Sequence, residues 1–282
     1  MAADQARRAR RRHMAGVVGR YALLIAVAAV VLFPIYAAVM VSQKPLTALG
    51  DLGVLVPDTL DLGGFDEAAR DGKMGRYLLN SGIVAVLITI GQVVTSVLAG
   101  YAFAAMRFPA KTLLFYLFLA TLMVPGEVNI VVNLETIQTL GWIDTYQALV
   151  VPFLAFSVGT FLLRQAFLGI PQDLRDAAAI DGHGHWSFLV NVAVPLVRPT
   201  IGGLSVFSFL LAWNQYLWPL LVTNDDDYRT VQIGLKALTD ESGANLNLLM
   251  SATLLASLPI LIVLVLFERQ LIRGLTTGSL KG

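Results

Sequence analysis

Residues 172–199, QDLRDAAAIDGHGHWSFLVNVAVPLVRP, decide how the rest of the chain is read. The run is polar, interrupted by glycines and amphipathic, yet it lies between two apolar segments each long enough to cross a bilayer. Asp173, Arg175, Asp176 and Asp181 give it charge, and Leu174, Ala177, Ala178 and Ile180 give it a small apolar face. Pro171 stands where a first-turn proline is tolerated and Gly182 where a helix usually stops. These signals predict a short helix of about ten residues ending at Asp181. The adjacent alanines matter most, because small side chains let another surface approach the helix backbone.

Outward from this run the chain is apolar. It has 282 residues, 56% hydrophobic and 14% charged, with a mean hydropathy of +0.71. Soluble domains carry about 25% charged residues, so the fold class is an all-α, multi-spanning membrane protein. Residues 21–41 carry no charge and are long enough to cross at about 1.5 Å per residue. They exceed the apolar core of a cleaved signal peptide, which runs to about 15 residues. Residues 77–106 form a second expected span. A third opens at Thr112, but Pro125, Gly126 and Glu127 interrupt it after about fifteen uncharged residues, short for a crossing. The helix is expected to break or end there, with irregular backbone lining a cavity. The fourth span centres on 148–163, the fifth is 200–223 and the sixth 248–267. Segment 42–76 reads as a loop or a partly ordered external segment, 128–145 as a mixture of helix end and external loop, and 224–247 as external and acidic.

Charge sorts to opposite sides of these spans. With both termini and residues 172–199 on one side, that side carries 14 of the 20 Lys and Arg and 5 of the 19 Asp and Glu. The basic bias puts both termini and the loop in the cytoplasm. Residues 1–20, with Arg7, Arg8, Arg10, Arg11, Arg12 and Arg20, then read as a cytoplasmic segment that fixes topology rather than a nucleic-acid-binding arm. Residues 21–282 read as one membrane domain containing the loop 171–199. No internal repeat or soluble domain is visible.

Several chemistries find no support. There are no cysteines, hence no disulfide, thiolate nucleophile or cysteine metal site. No glycine-rich loop followed by Lys-Ser or Lys-Thr is present to cradle a nucleotide, and no His-Glu-x-x-His run marks a zinc protease. His183 and His185 alternate without further clustered ligands, so no metal site is assigned. No expected span has Lys, Arg, Asp or Glu at its centre, where proton-coupled transporters keep their relays. Both a membrane-embedded enzyme and a self-powered transporter are disfavoured, and the energy is expected from a partner.

Asp176-Ala177-Ala178, Gly182 and Val192-x-Val194-Pro195 have the spacing of a cytoplasmic loop found in permease subunits of ABC importers, with Asp in place of Glu at the first position. Asn80-Ser81, Pro125-Gly126-Glu127, residues 160–165 (TFLLRQ) and Trp213-Asn214 extend the resemblance over nearly the whole chain. They are similar to the carbohydrate-type importer permeases. The resemblance implies six transmembrane helices paired with a homologous second permease. It implies two ATPase subunits that carry ATP and Mg, and an extracytoplasmic substrate-binding protein; this chain itself would bind no cofactor and catalyse no reaction. It also implies that Asp176, Ala177, Ala178, Asp181 and Gly182 form the coupling helix that docks into the ATPase.

Residues 213–219 (WNQYLWP) most resemble permeases for glycerol 3-phosphate and glycerophosphodiesters; many sugar permeases have Glu where Gln215 stands. A glutamate in a desolvated path would repel a phosphate, whereas glutamine keeps the size, drops the charge and offers two N–H donors. Trp213, Asn214, Gln215, Tyr216 and Trp218, with Glu127, are therefore the expected substrate-path residues. The competing reading of Trp213, Tyr216 and Trp218 is an interfacial aromatic belt. The competing ligand is a neutral sugar of the maltose or trehalose type.

Overall fold

A computed structural model describes residues 2–44, 52–57, 61–70, 72–241 and 245–276; the side chains at 2–13, 15, 52, 127, 240–241 and 269–276 lie outside that description. Every regular element among the described residues is helical. The chain forms two compact units, 1–72 with 238–255, and 73–237 with 256–282.

In the first unit, α1 (Ala2–Val41) is one uninterrupted helix, so the basic segment 1–20 continues into the expected first span instead of standing apart from it. Val30, Val31 and Ile25 are each more than 60% exposed, an apolar surface of the kind a bilayer covers. Segment 42–76, read as a loop, contains a 3-10 turn (Leu52–Leu55) and the helix α2 (Gly63–Arg70). The chain beyond α1 is tied down by Asn247, whose amide donates to the carbonyls of Ser42 (2.9 Å) and Lys44 (2.8 Å). Gly64 is required here, because a Cβ would lie 2.2 Å from Asn247 Oδ1.

The second unit is built on α3 (Met74–Ala105), the expected second span. After it come α4 (Lys111–Ala120), α5 (Ile130–Thr139), α6 (Tyr146–Val150), α7 (Ser157–Leu168), α8 (Gln172–Ile180), α9 (His185–Phe188), α10 (Val194–Leu196), α11 (Arg198–Trp213) and α12 (Leu217–Val222). Helices α13 (Val231–Glu241) and α14 (Leu246–Thr276) complete the chain. Segment 224–247, external and acidic in the sequence reading, contains the helix α13, with Val231 and Ile233 buried.

Among the described residues three helical stretches are long and apolar enough to cross a membrane unbroken: Gly16–Val41, Met74–Ala105 and Leu246–Glu268. Two more qualify only as bent pairs, Tyr146–Phe153 with Ser157–Leu168 (45°) and His185–Leu196 with Arg198–Trp213 (79°). Prolines explain the interruptions, since each lacks an N–H and its ring clashes with the carbonyl four residues back. Pro152 leaves the Ala148 carbonyl without a helical partner where α6 gives way to a 3-10 turn ahead of the break at 154–156, Pro199 follows the bend at Val197, and Pro219 excludes Gln215 from a continuous helix. The expected third span is the 13-residue stretch Lys111–Met123, about 20 Å long, which stops short of Pro125.

Helix α3 closes the first break. Gln92 Nε2 donates to Phe153 O (2.9 Å), Thr95 Oγ1 to Leu154 O (2.6 Å) and Ser96 Oγ to Phe156 O (3.4 Å). The carbonyls of Phe153 and Leu154 are ones that a broken helix leaves open in an apolar surround, and Phe156 O also accepts the Thr160 N–H at 3.0 Å. Gly100 allows α7 to pack this closely: a Cβ there would sit 3.0 Å from the backbone nitrogen of Arg164.

The other end of α3 holds residues 224–231. Fully buried Asn80 donates through Nδ2 to Asp227 O (2.8 Å) and Arg229 O (2.9 Å) and accepts from Tyr146 Oη (2.8 Å). Ser81 Oγ accepts the Val231 N–H at 2.8 Å. Lys73 pairs with Asp226 (2.5 Å), which also pairs with Arg229 (2.7 Å). The hydrogen bond from Lys73, reinforced by Arg229, holds the Asp226 carboxyl below its usual range, and the same bond lifts the Lys73 ammonium above its own.

Candidate coupling and translocation sites

Helix α8 is the predicted short helix, nine residues long with Asp181 as its cap. Its end is a Schellman turn: the N–H of Gly182 donates to Ala179 O (3.1 Å) and that of His183 to Ala178 O (2.9 Å). Gly182 sits at φ +79°, in the left-handed region that glycine enters without penalty. Arg175 donates to Phe167 O (2.7 Å) and so ties α8 to the end of α7.

The structure separates the two alanines. Ala178 is buried with Tyr101, Leu163, Phe167 and Phe188, within the protein's own core. Ala177 is exposed, together with Asp173, Asp176 and Asp181. Ile180 (87% exposed) and Trp186 (69%) project as well. The single apolar face read from Leu174, Ala177, Ala178 and Ile180 is therefore split: Ala178 packs inward and the other three look out. Trp186 went unremarked as a surface residue in the sequence. The signal was an indole two residues after a helix-stopping Gly-His-Gly.

The 213–219 run divides similarly. Trp213 is buried, stacks on Phe209 (centroids 5.6 Å apart) and donates its indole N–H to Ala256 O at 3.2 Å. Trp218 is buried against Phe153 and donates to Ala148 O at 2.9 Å. Both indole donors are thus taken up by backbone carbonyls, and neither ring lies in an exposed belt. Asn214, Gln215 and Tyr216 form the non-helical link between α11 and α12. Asn214 is exposed, donates to Leu210 O (2.8 Å) and accepts from Gln232 Nε2 (3.4 Å). Tyr216 is 37% exposed. Gln215 is half-buried, and its Oε1 is enclosed without a hydrogen-bond partner. Glu127 falls in the 3-10 turn Gly126–Asn129, and its side chain lies outside the described residues. No group of three or more His, Cys, Asp or Glu capable of holding a metal occurs among the described residues.

Residues 62–277 match the family described as binding-protein-dependent transport system inner membrane component. The sn-glycerol-3-phosphate transport system permease protein UgpE of Rhizobium meliloti is 37% identical over 275 residues, covering 94% of this chain and 97% of that protein. The proteins of the same name from Brucella abortus and Yersinia pestis are 36% and 39% identical, covering 94% and 73% of this chain and 97% and 74% of theirs. Among solved structures, a bacterial ABC transporter involved in import of the acidic polysaccharide alginate superposes with TM-score 0.79 at 19% identity, over 91% of this chain and 96% of that one. A bacterial alginate ABC transporter in complex with a pentasaccharide-bound periplasmic protein superposes with TM-score 0.59 at 14% identity, over 88% of this chain and 92% of that one. The helical fold with its broken spans and the match over residues 62–277 lead to one conclusion: the chain belongs to the family of inner membrane components of binding-protein-dependent transport systems.

Proposed function

We propose that this chain is the non-catalytic permease subunit of an ATP-driven importer for sn-glycerol 3-phosphate or glycerophosphodiesters. The observation that carries the ligand is the 36–37% identity along 94% of the chain to permeases named for sn-glycerol 3-phosphate. The uncharged Gln215 in the α11–α12 break suits an anionic ligand, because no carboxylate there opposes a phosphate. The chain spans the inner membrane six times with both termini in the cytoplasm, a reading supported by the 14-to-6 division of Lys and Arg. Lys111–Met123 serves as the short third crossing, and α11 with α12, the expected span 200–223, as the fifth. The exposed side of α8, with Asp173, Asp176, Ala177 and Ile180, docks on one of two ATPase subunits that bind ATP and Mg. A second permease completes the path, and an extracytoplasmic binding protein delivers the ligand.

Of the expected path residues, Gln215, Asn214 and Tyr216 face the ligand, with Glu127 near the external mouth. Trp213 and Trp218 hold the link in place through Ala256 and Ala148. The test is ATP hydrolysis by the reconstituted complex against a panel of binding-protein ligands. Stimulation by sn-glycerol 3-phosphate or its diesters, and not by maltose or trehalose, is expected; the reverse pattern overturns the ligand assignment.

A further inference from the structure

A cavity of about 550 Å³ lies between the end of α3, the start of α4, and α8 with α9. Arg107, Lys111, Arg175, His183 and His185 line it together with Tyr101, and no carboxylate does. Among the described residues none of Arg107, Lys111 and Arg175 has an acidic group within ion-pair distance. Lys111 and Arg175 are oriented by backbone carbonyls instead: the ammonium donates to Met106 O at 2.8 Å, and the guanidinium to Phe167 O at 2.7 Å. Arg175 Nε is enclosed without a partner. Tyr101 Oη lies 3.1 Å from His185 Nδ1, which orients that ring.

Helix α8 sorts its charges around this space. Gln172, Arg175 and Ala179 line the cavity, while Asp173 and Asp176 do not. Three cations gathered without counter-charge in a concave site of ligand size form the donor set that an oxyanion requires. We propose that this cavity binds a phosphate group, supplied either by the headgroup of an anionic phospholipid or by a soluble phosphate. The site is separate from the α11–α12 link, and none of Asn214, Gln215 and Tyr216 lines it.

Because the chain has no cysteine, occupancy can be read at one atom. Ala179→Cys, on the cavity wall, and Asn224→Cys, at an exposed position outside the cavity, are placed in the otherwise complete transporter. Thiol labelling of this chain is followed by mass spectrometry in nanodiscs. Inorganic phosphate in phosphatidylcholine discs should slow labelling at position 179 and leave 224 unchanged, with chloride at equal ionic strength as the control; this identifies a soluble source. Slowed labelling in phosphatidylglycerol discs, with no further effect of phosphate, identifies the lipid. Arg107→Gln, an exposed position that caps no helix, should raise the half-protecting concentration roughly tenfold, the share of one charge-assisted contact. Protection by neither source, equal protection at 224, or protection indifferent to Arg107→Gln each overturns the proposal.

Discussion

Single residues carry unequal burdens, and the structure says which. Asn80 is fully buried with three hydrogen bonds, two holding the 227–229 backbone. Asn80→Leu strands two carbonyls and the Tyr146 hydroxyl, and should destabilise the permease by roughly 2–4 kcal/mol. The check is a lowered melting temperature of the purified complex with residues 224–231 newly open to protease. Gly182→Ala forces a Cβ into the left-handed region and should cost about 1–2 kcal/mol, seen as faster hydrogen exchange at the Gly182 and His183 amides. Gln215→Glu keeps the volume and adds a charge. At an effective dielectric near 20 and about 5 Å, repulsion of a phosphate is about 3 kcal/mol, or roughly a hundredfold in transport. Binding to the extracytoplasmic protein should not change. Wild-type uptake by that variant would remove Gln215 from the path. That position 215 is uncharged was legible in the sequence; its half-buried place in the α11–α12 link was not. The burial of Trp213 and Trp218 was not, since an indole in an apolar run looks the same whether its N–H meets a ligand, a headgroup or a carbonyl 43 or 70 residues away.

Helices here are decided by their ends and breaks. Helix α8 was readable almost to the residue, because Pro171 and Gly182 act locally. Its inward face was not, because Ala177 and Ala178 are neighbours in sequence but about 100° apart around the axis. Only the positions of Phe167 and Phe188 settle which one is covered. The paired substitutions follow from that geometry. Ala177→Trp should leave the protein inserted and assembled in amount but uncouple ATP hydrolysis from ligand. Ala178→Trp overfills a packed core and should reduce the folded yield itself. Equal coupling in Ala177→Trp and wild type would rule out docking through that face.

The link between α3 and residues 224–231 has a predictable pH range. Asp226 titrates lower in the folded chain than in the unfolded one, so its contribution is present above the ordinary carboxylate range and is lost as pH falls through the depressed value. Lys73 titrates higher, so its contribution is present below the ordinary ammonium range and is lost as pH rises through the elevated value. Protection factors of amides 224–231 should therefore be flat between about pH 4 and 10. Asp226→Asn should lower them throughout that range.

For the molecule as a whole, membrane class was legible from composition, a sum over many residues, and the division of charge predicts an orientation that labelling tests. Span continuity was not: Pro152, Pro199 and Pro219 announce breaks, but the bends of 45° and 79° depend on what packs around them. The helix α13 was masked by its acidic neighbours, because external acidity speaks of sidedness and not of backbone conformation. Topology has its own check in this cysteine-free chain. Gly184→Cys and Asn224→Cys, both at exposed positions, should react with an impermeant thiol reagent from opposite sides of sealed cells. The central claim is tested most directly by uptake into proteoliposomes holding the complete transporter, with ATP available to the ATPase subunits and loaded binding protein on the opposite face. The account predicts ATP-dependent accumulation of labelled sn-glycerol 3-phosphate or a glycerophosphodiester, abolished when this subunit is left out. Accumulation of a neutral disaccharide with none of the phosphate esters would contradict it.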